Sequence, residues 1–370
     1  MMNRPFAHRQ CILTILALIL ILSSCNFPKH DLPTPTFVTQ ITDTATDTKQ
    51  ADGWFHIFYT DPSAQHAKNY EGGPDEILVA AIKQARLSVD VAAYSLNLWS
   101  VRDALIQDHR RGVVVRMVME SDNMDNQEVQ EIKDAGIPVI GDQQEGLMHN
   151  KFVVLDRSEV WTGSMNFTVS GVYKDNNNLI RICSPKVAED YITEFNEMFV
   201  HHLFGQDTIV NTPYPKLTIN GTPLEVYFSP DDKVEARIVG LVQNAQESIN
   251  FMAYSFTSNN IGDAIMRQAQ AGIQVAGVMD DNQVASSQGT EYDPFMQAGI
   301  DVRLDGNQDG LMHHKVIIID QKIVITGSYN FTASAEERND ENVVIIFSPE
   351  VAAKFMEEFQ RIYGQAQQPQ

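Results

Sequence analysis

The strongest constraint on this 370-residue chain is that most of it is written twice. Ala93-Tyr94-Ser95 returns as Ala253-Tyr254-Ser255, and Ala135-Gly136-Ile137 as Ala298-Gly299-Ile300. Gly146-Leu147-Met148-His149 returns as Gly310-Leu311-Met312-His313, and Asn166-Phe167-Thr168 as Asn330-Phe331-Thr332. The amphipathic run from Ser184, SPKVAEDYITEFNEMF, is matched by SPEVAAKFMEEFQRIY from Ser348. The offset drifts from 160 to 164 residues, as small loop insertions would make it. Solenoid repeats run to ~20–50 residues, so a period this long is a duplicated domain.

Each copy alternates strand and helix patterns. In the first, Trp54–Tyr59, Ser88–Ala93, Val113–Val118, Ile137–Val139, Phe152–Leu155, Val160–Thr162 and Leu179–Ile182 read as strands. Helical patterns fall near Asp75–Ala85 and Val101–Arg111, before Ile137, and from Pro185 onward. The expected class is α/β: two pseudo-symmetric domains, each a mostly buried mixed sheet flanked by helices. They are placed at 53–206 and 223–364, with a Pro/Asn/Gly-containing linker at 207–222 and a tail at 365–370.

The N-terminus reads as an export signal. Arg4 and Arg9 precede twelve residues, Cys11–Leu22, that are apolar except for Thr14 and too short for a comfortable span. Leu22-Ser23-Ser24-Cys25 looks like a bacterial lipobox, which implies removal of residues 1–24 and lipidation of Cys25. Residues 25–52, with seven Thr and three Pro between Asn26 and Asp52, read as a solvated tether. The expectation is an exported protein held by lipid on the outer or periplasmic side of a bacterial membrane. Three cysteines (Cys11, Cys25 and Cys183) make no disulfide framework.

The chemistry recurs at equal spacing. His149-Asn150-Lys151, Asp156 and Gly163-Ser164-Met165-Asn166 match His313-His314-Lys315, Asp320 and Gly327-Ser328-Tyr329-Asn330. His-x-Lys on a strand puts both side chains on one face, with Asn150 and His314 turned away. The strand then ends in a turn at Asp156 or Asp320. A neighbouring strand delivers Gly-Ser-x-Asn, where glycine permits close approach and Ser164, Asn166, Ser328 and Asn330 can bind phosphate oxygens. Two copies face to face offer two imidazoles and two ammoniums around one point. That set suits in-line displacement at a phosphodiester: one histidine attacks, the other protonates the leaving oxygen, and the lysines hold the charge.

Both stretches resemble the HKD motif of the phospholipase D superfamily, H-x-K-x4-D-x6-G-S-x-N, at every defined position over roughly residues 54–364. The second copy, through GSYNFTASAEERNDENVVII, is similar to the superfamily's small nuclease branch. The resemblance implies a cofactor-free, metal-independent phosphodiesterase with a phosphohistidine intermediate and an active site at the seam between two halves. It makes His149, Lys151, Asp156, His313, Lys315 and Asp320 the catalytic set. A single chain carrying both motifs is expected to act as a monomer.

Glu341, 28 residues after His313, resembles the family acid that holds the imidazole's far nitrogen, and the equivalent place after His149 is Asn177. Read within each copy, this makes His313 the more basic ring. Many two-motif relatives attack with the N-terminal histidine, whereas the local acid favours His313, so both assignments stand at this point. Tyr94 and Tyr254 are placed at the pocket border, His201-His202 at a solvated helix end, and Asp280-Asp281-Asn282, matched with Ser121-Asp122-Asn123, in a helix-capping loop.

Four functions fit these residues: headgroup hydrolysis of a phospholipid, endonuclease action, phosphatidyl transfer in the manner of a cardiolipin synthase, and surface binding by an inactive site. With 27 Lys and Arg against 48 Asp and Glu, the formal charge is −21. That works against a general duplex-DNA binder, which needs a basic surface, and favours the phospholipid without removing a nucleic-acid substrate.

Overall fold

The computed structural model describes residues 53–366. The signal, Cys25, the tether and the last four residues of the tail lie outside the described residues.

Short β-branched runs become the strands. In the first half these are β1 (Phe55–Tyr59), β2 (Ser88–Ala93), β3 (Val114–Met119), β4 (Val139–Gly141), β5 (Lys151–Leu155), β6 (Glu159–Gly163) and β7 (Asn178–Cys183). They form one sheet in the order β1-β7-β6-β5-β2-β3-β4. The β2-β3-β4 portion is parallel and the remaining pairs are antiparallel. The parallel crossovers run through helices Trp99–Arg110 and Gln127–Asp134, as a parallel connection requires. β5, KFVVL, is buried at every residue, so it reads as a continuous apolar run instead of an alternation.

The second half repeats this with β8 (Lys216–Ile219), β9 (Thr222–Ser229), β10 (Ser248–Ala253), β11 (Gln274–Met279), β12 (Asp301–Leu304), β13 (Lys315–Ile319), β14 (Ile323–Gly327) and β15 (Glu341–Phe347). The order is β12-β11-β10-β13-β14-β15-β9-β8. β8 lies inside the expected linker: Leu217 and Ile219 add an edge strand to β9, so part of residues 207–222 is sheet.

Two 17-residue helices, Pro185–His201 and Pro349–Gln365, close the halves. Each starts with a serine cap and proline at the first position, the combination that satisfies free N–H groups and presets φ. Their apolar faces and the inner faces of both sheets share one core, where Phe152, Tyr191, Phe195, Phe228, Val316, Phe355 and Phe359 meet. Separate outer cores lie under the remaining helices of each half. Since the central core draws on both copies, the described residues 53–366 form one packed unit, and the seam between the sheets is fixed. No described helix is long and apolar enough to cross a membrane.

Candidate active site

The two motifs meet at that seam through backbone pairing between the halves. His149 N–H donates to Asp340 O (3.0 Å) and Asp340 N–H to Leu147 O (2.9 Å). The mirror pair is His313 N–H to Asn176 O (2.9 Å) and Asn176 N–H to Leu311 O (2.7 Å). β5 and β13 begin only at the lysines, so the histidines sit in these bridging segments and not on the strands expected for them.

The bridges change the partners of the rings. A residue one step beyond Asp340 faces His149, and one step beyond Asn176 faces His313. Glu341 therefore holds His149, at 2.9 and 2.8 Å from Nδ1, and Asn177 Oδ1 lies 2.9 Å from His313 Nδ1. The within-copy reading is corrected: each ring is held by the opposite half, and the carboxylate belongs to His149. Asn177 Nδ2 donates to Gly171 O (2.8 Å) and Ser164 Oγ donates to Asn177 Oδ1 (2.8 Å). That oxygen is thus an acceptor, and His313 carries its proton on Nδ1. A carboxylate has only acceptors, so His149 does the same. In both rings Nε2 is left with the lone pair.

Burial is nearly complete, with His149 6 % and His313 4 % exposed and each lysine 1 %. Burial pushes His149 down to about 4, against the pull of Glu341 and with a push from Lys151. His313 lies well below its ordinary value through burial and then the charges of Lys315 and Lys151. Both rings are pushed down, and because a carboxylate backs His149 where only an amide backs His313, His149 is the more basic ring, the reverse of the sequence expectation. Burial lowers Lys151 to about 7 against the pull of Glu341, and Lys315 is well below its usual range through burial and Lys151. An entering phosphate anion would raise all four.

Tyr94 and Tyr254 do border the site. Their rings lie edge-on to His149 and His313 (centroids 4.8 and 4.7 Å) and beneath Lys151 Nζ and Lys315 Nζ (5.0 and 4.7 Å). Each lysine also donates to the carbonyl of its own motif histidine, at 2.6 and 2.8 Å. Asn166 Oδ1 and Asn330 Oδ1 are buried without a hydrogen-bond partner, a cost that a ligand's donor, or a turned amide facing phosphate, would remove.

Four other motif residues lie elsewhere in the network. Ser164 Oγ and Ser328 Oγ accept from the backbone N–H of Asn178 (3.1 Å) and Asn342 (3.0 Å), so they position the residues behind the rings instead of lining a phosphate site. Asp156 and Asp320 occupy the far ends of β5 and β13. Asp156 Oδ1 accepts from the N–H groups of Arg86, Leu87 and Ser88 at 2.7–3.1 Å, and Asp320 Oδ1 from Gln246, Glu247 and Ser248 at 2.7–3.0 Å. Neither aspartate reaches the histidines; each closes a turn at positive φ.

Asn150 and His314 turn away from the site as expected. Asn150 Oδ1 accepts from Asn342 Nδ2 (2.8 Å), and His314 Nδ1 lies 3.1 Å from Asn178 Nδ2. Thr162 and Thr326 bond to Asn342 and Asn178 across the seam. Sequence reasoning missed these asparagines, though the 164-residue offset pairs them. It also misaligned one acid. Asp280 caps its helix and accepts Met312 N–H (2.9 Å), and its structural match is Glu120, which accepts Met148 N–H (2.9 Å), not Ser121. His201 ends its helix and stays exposed.

The chain matches the family described as "Cardiolipin synthase, PLD-like domain" twice, over residues 78–199 and 238–363. It is 32 % identical over 128 residues to the mitochondrial cardiolipin hydrolase of Chlamydomonas reinhardtii, covering 35 % of this chain and 56 % of that protein. It is 33 % identical over 161 residues to a phospholipase D of Rickettsia bellii, covering 42 % of this chain and 79 % of the relative. Its fold resembles that of a phosphatidylserine synthase from Haemophilus influenzae, with a TM-score of 0.65 at 12 % identity over 80 % of this chain and 85 % of the other. Two matched halves, each bearing H-x-K and joined by backbone bridges at one seam, place this chain in the phospholipase D superfamily.

Proposed function

We propose that the protein is a phospholipase D-type phosphodiesterase in which His149 is the nucleophile and His313 the general acid and base. The observation that carries this is the unequal support of the two rings, a carboxylate behind His149 and an amide behind His313. His149 Nε2 attacks phosphorus, and the P–O bond to the leaving group breaks as His313 gives that oxygen a proton. The phosphorylated ring keeps its Nδ1 proton and is cationic, which Glu341 stabilises and an amide would not. The more basic ring is also the better nucleophile. His313, held low, is a strong acid once the substrate's charge has put a proton on it. It then takes a proton from water, whose oxygen attacks phosphorus and releases His149.

A phospholipid headgroup is the favoured substrate. The names of the relatives, the net charge of −21 and the lipidation expected at Cys25, which would hold the site at a bilayer, support it. Endonuclease action and transfer to an alcohol use the same chemistry. The full chain, assayed in EDTA on phosphatidylcholine, phosphatidylethanolamine, single-stranded DNA and bis-p-nitrophenyl phosphate, is expected to turn over the lipids faster than DNA. Turnover of none of them leaves the inactive binding protein. With the p-nitrophenyl ester, whose leaving group needs no proton, His313→Ala should accumulate an acid-labile adduct on His149, and His149→Ala should form none. An adduct on His313 in the latter variant reverses the roles.

A further inference from the structure

The two flanks of the seam share a backbone plan and differ in charge. On one flank a groove of about 710 Å³ runs between the halves, bordered among others by Lys68, Tyr70, Tyr173, Lys174, Asn307 and Arg361, with one acid, Asp309. The 164-residue offset carries Tyr173, Lys174 and Arg361 onto Glu337, Arg338 and Glu197. Pairing of β1 with β7 and of β9 with β15 carries Pro62 onto Asp231. On the opposite flank a groove of about 450 Å³ is bordered by Asp231, Glu336 and Glu337. The duplicated fold is thus its own control: Pro62, Tyr173 and Arg361 correspond to the acids Asp231, Glu337 and Glu197, while Lys174 corresponds to another cation, Arg338, that does not border the opposite groove. In a chain of net charge −21, a groove with three cations stands out from the background.

A second feature points to a ligand. Arg361 Nε and Nη2 bond to Glu358 (2.7 and 2.6 Å), but Nη1 is buried without a hydrogen-bond acceptor, with Asp61 Oδ1 3.6 Å away. A buried donor left unmatched is costly, and an oxyanion in the groove would satisfy it. Lys68 and Lys174 are exposed and make no ion pair among the described residues. Tyr70, half exposed, stands edge-on to Tyr173 (centroids 5.5 Å), an apolar wall beside the cations. The groove also touches Asn176, whose carbonyl holds His313 N–H, while Asn177 next to it faces the ring. It therefore backs onto the catalytic centre without being part of it.

We propose that this groove is a second phosphate site that takes the phosphomonoester headgroup of a lipid. Lys68 and Lys174 neutralise the dianion, Arg361 Nη1 donates to one oxygen, and the tyrosine pair packs on the glycerol and first methylenes. The choice of a lipid rests on the phospholipid reading above, and binding is measured without turnover, so the two can fail separately.

The test is calorimetry, in detergent, on the full chain carrying Lys151→Met and Lys315→Met, which remove the cations of the catalytic centre, with Tm and turnover read in the parent chain. Monomeric dihexanoyl phosphatidate should bind one to one, glycerol 3-phosphate more weakly, and inorganic phosphate more weakly still. Lys68→Glu/Lys174→Glu should weaken the lipid at least 10-fold with Tm and bis-p-nitrophenyl phosphate turnover unchanged. Glu337→Gln on the other flank should leave binding within 2-fold. Unaltered binding on adding Lys68→Glu/Lys174→Glu, or no binding at all in the Lys151→Met/Lys315→Met chain, overturns the site. Inorganic phosphate binding as tightly as the lipid, or a 5′-phosphorylated oligonucleotide displacing it from the same lysines, overturns the lipid as occupant.

Discussion

Glu341 and Asn177 set the polarity of the site. Both rings share one tautomer and one depth of burial, so the charge behind Nδ1 is the difference between them. Glu341→Gln keeps a hydrogen-bond acceptor for His149 and removes the charge. It should lower kcat by ~10²–10³, the range for losing one preorganised electrostatic partner, with KM little changed. Steady-state kinetics checks this, and a kcat within about 3-fold of the parent would contradict the role given to the carboxylate. The sign for pH follows from the same ring: with His149 held at about 4, its nucleophilic form should persist well below pH 6. The motif itself, His149, Lys151, His313 and Lys315 around one point, was legible because its spacing repeats. Which acid serves which ring was not, since residues 192 apart are joined only by the bridge between halves.

At the scale of the element, the motif aspartates are turn residues of β5 and β13. Asp156→Ala removes the acceptor of three backbone N–H groups at the entrance to β2, two of them exposed and left to water. A loss of ~1–3 kcal/mol is expected, the net worth of hydrogen bonds to a charged group, with kcat of the folded fraction nearly unchanged. Denaturant unfolding and active-site-normalised turnover separate the two, and a kcat loss without a stability loss would restore a catalytic role. The elements were largely legible, since β5, β6, β13 and β14 are apolar runs bounded by turns and the closing helices carry Ser-Pro starts. β8 was hidden because an edge strand of four half-exposed residues, KLTI, lacks the burial that makes a run visible.

At the scale of the whole molecule, buried acids exceed buried bases among the described residues, which sets the response to pH. Burial raises Asp175 and Asp280 to about 6 and Asp190, Asp231 and Glu291 to about 7, and it pushes Glu194 and Asp340 well up. As pH falls through these values the folded chain takes up protons that the unfolded chain does not, so each acid adds stability. His149, His313 and His314, held low by burial, act in the opposite sense below about 6.5, Lys151 does so above about 7, and Lys315, pushed well down by burial, acts in that same sense. The acids outnumber the bases in the window, so Tm should rise from pH 7.5 to pH 5.5. Calorimetry across that range tests it, and a falling Tm would mean that the histidines dominate.

The sequence by itself determined that the chain is two copies of one α/β unit and that each carries the same phosphodiester chemistry. Those properties are local, fixed by hydrophobic runs, turn residues and motif spacing that an offset of 160–164 residues makes visible. Only the tertiary structure decided how the copies answer each other. The bridges at Asp340 and Asn176 hand Glu341 to His149 and Asn177 to His313, and the pairing of non-adjacent segments makes one flank cationic and the other acidic. The reason is physical: a shared central core fixes the seam, and the partners it brings together are set by packing between halves, which no spacing within either half encodes.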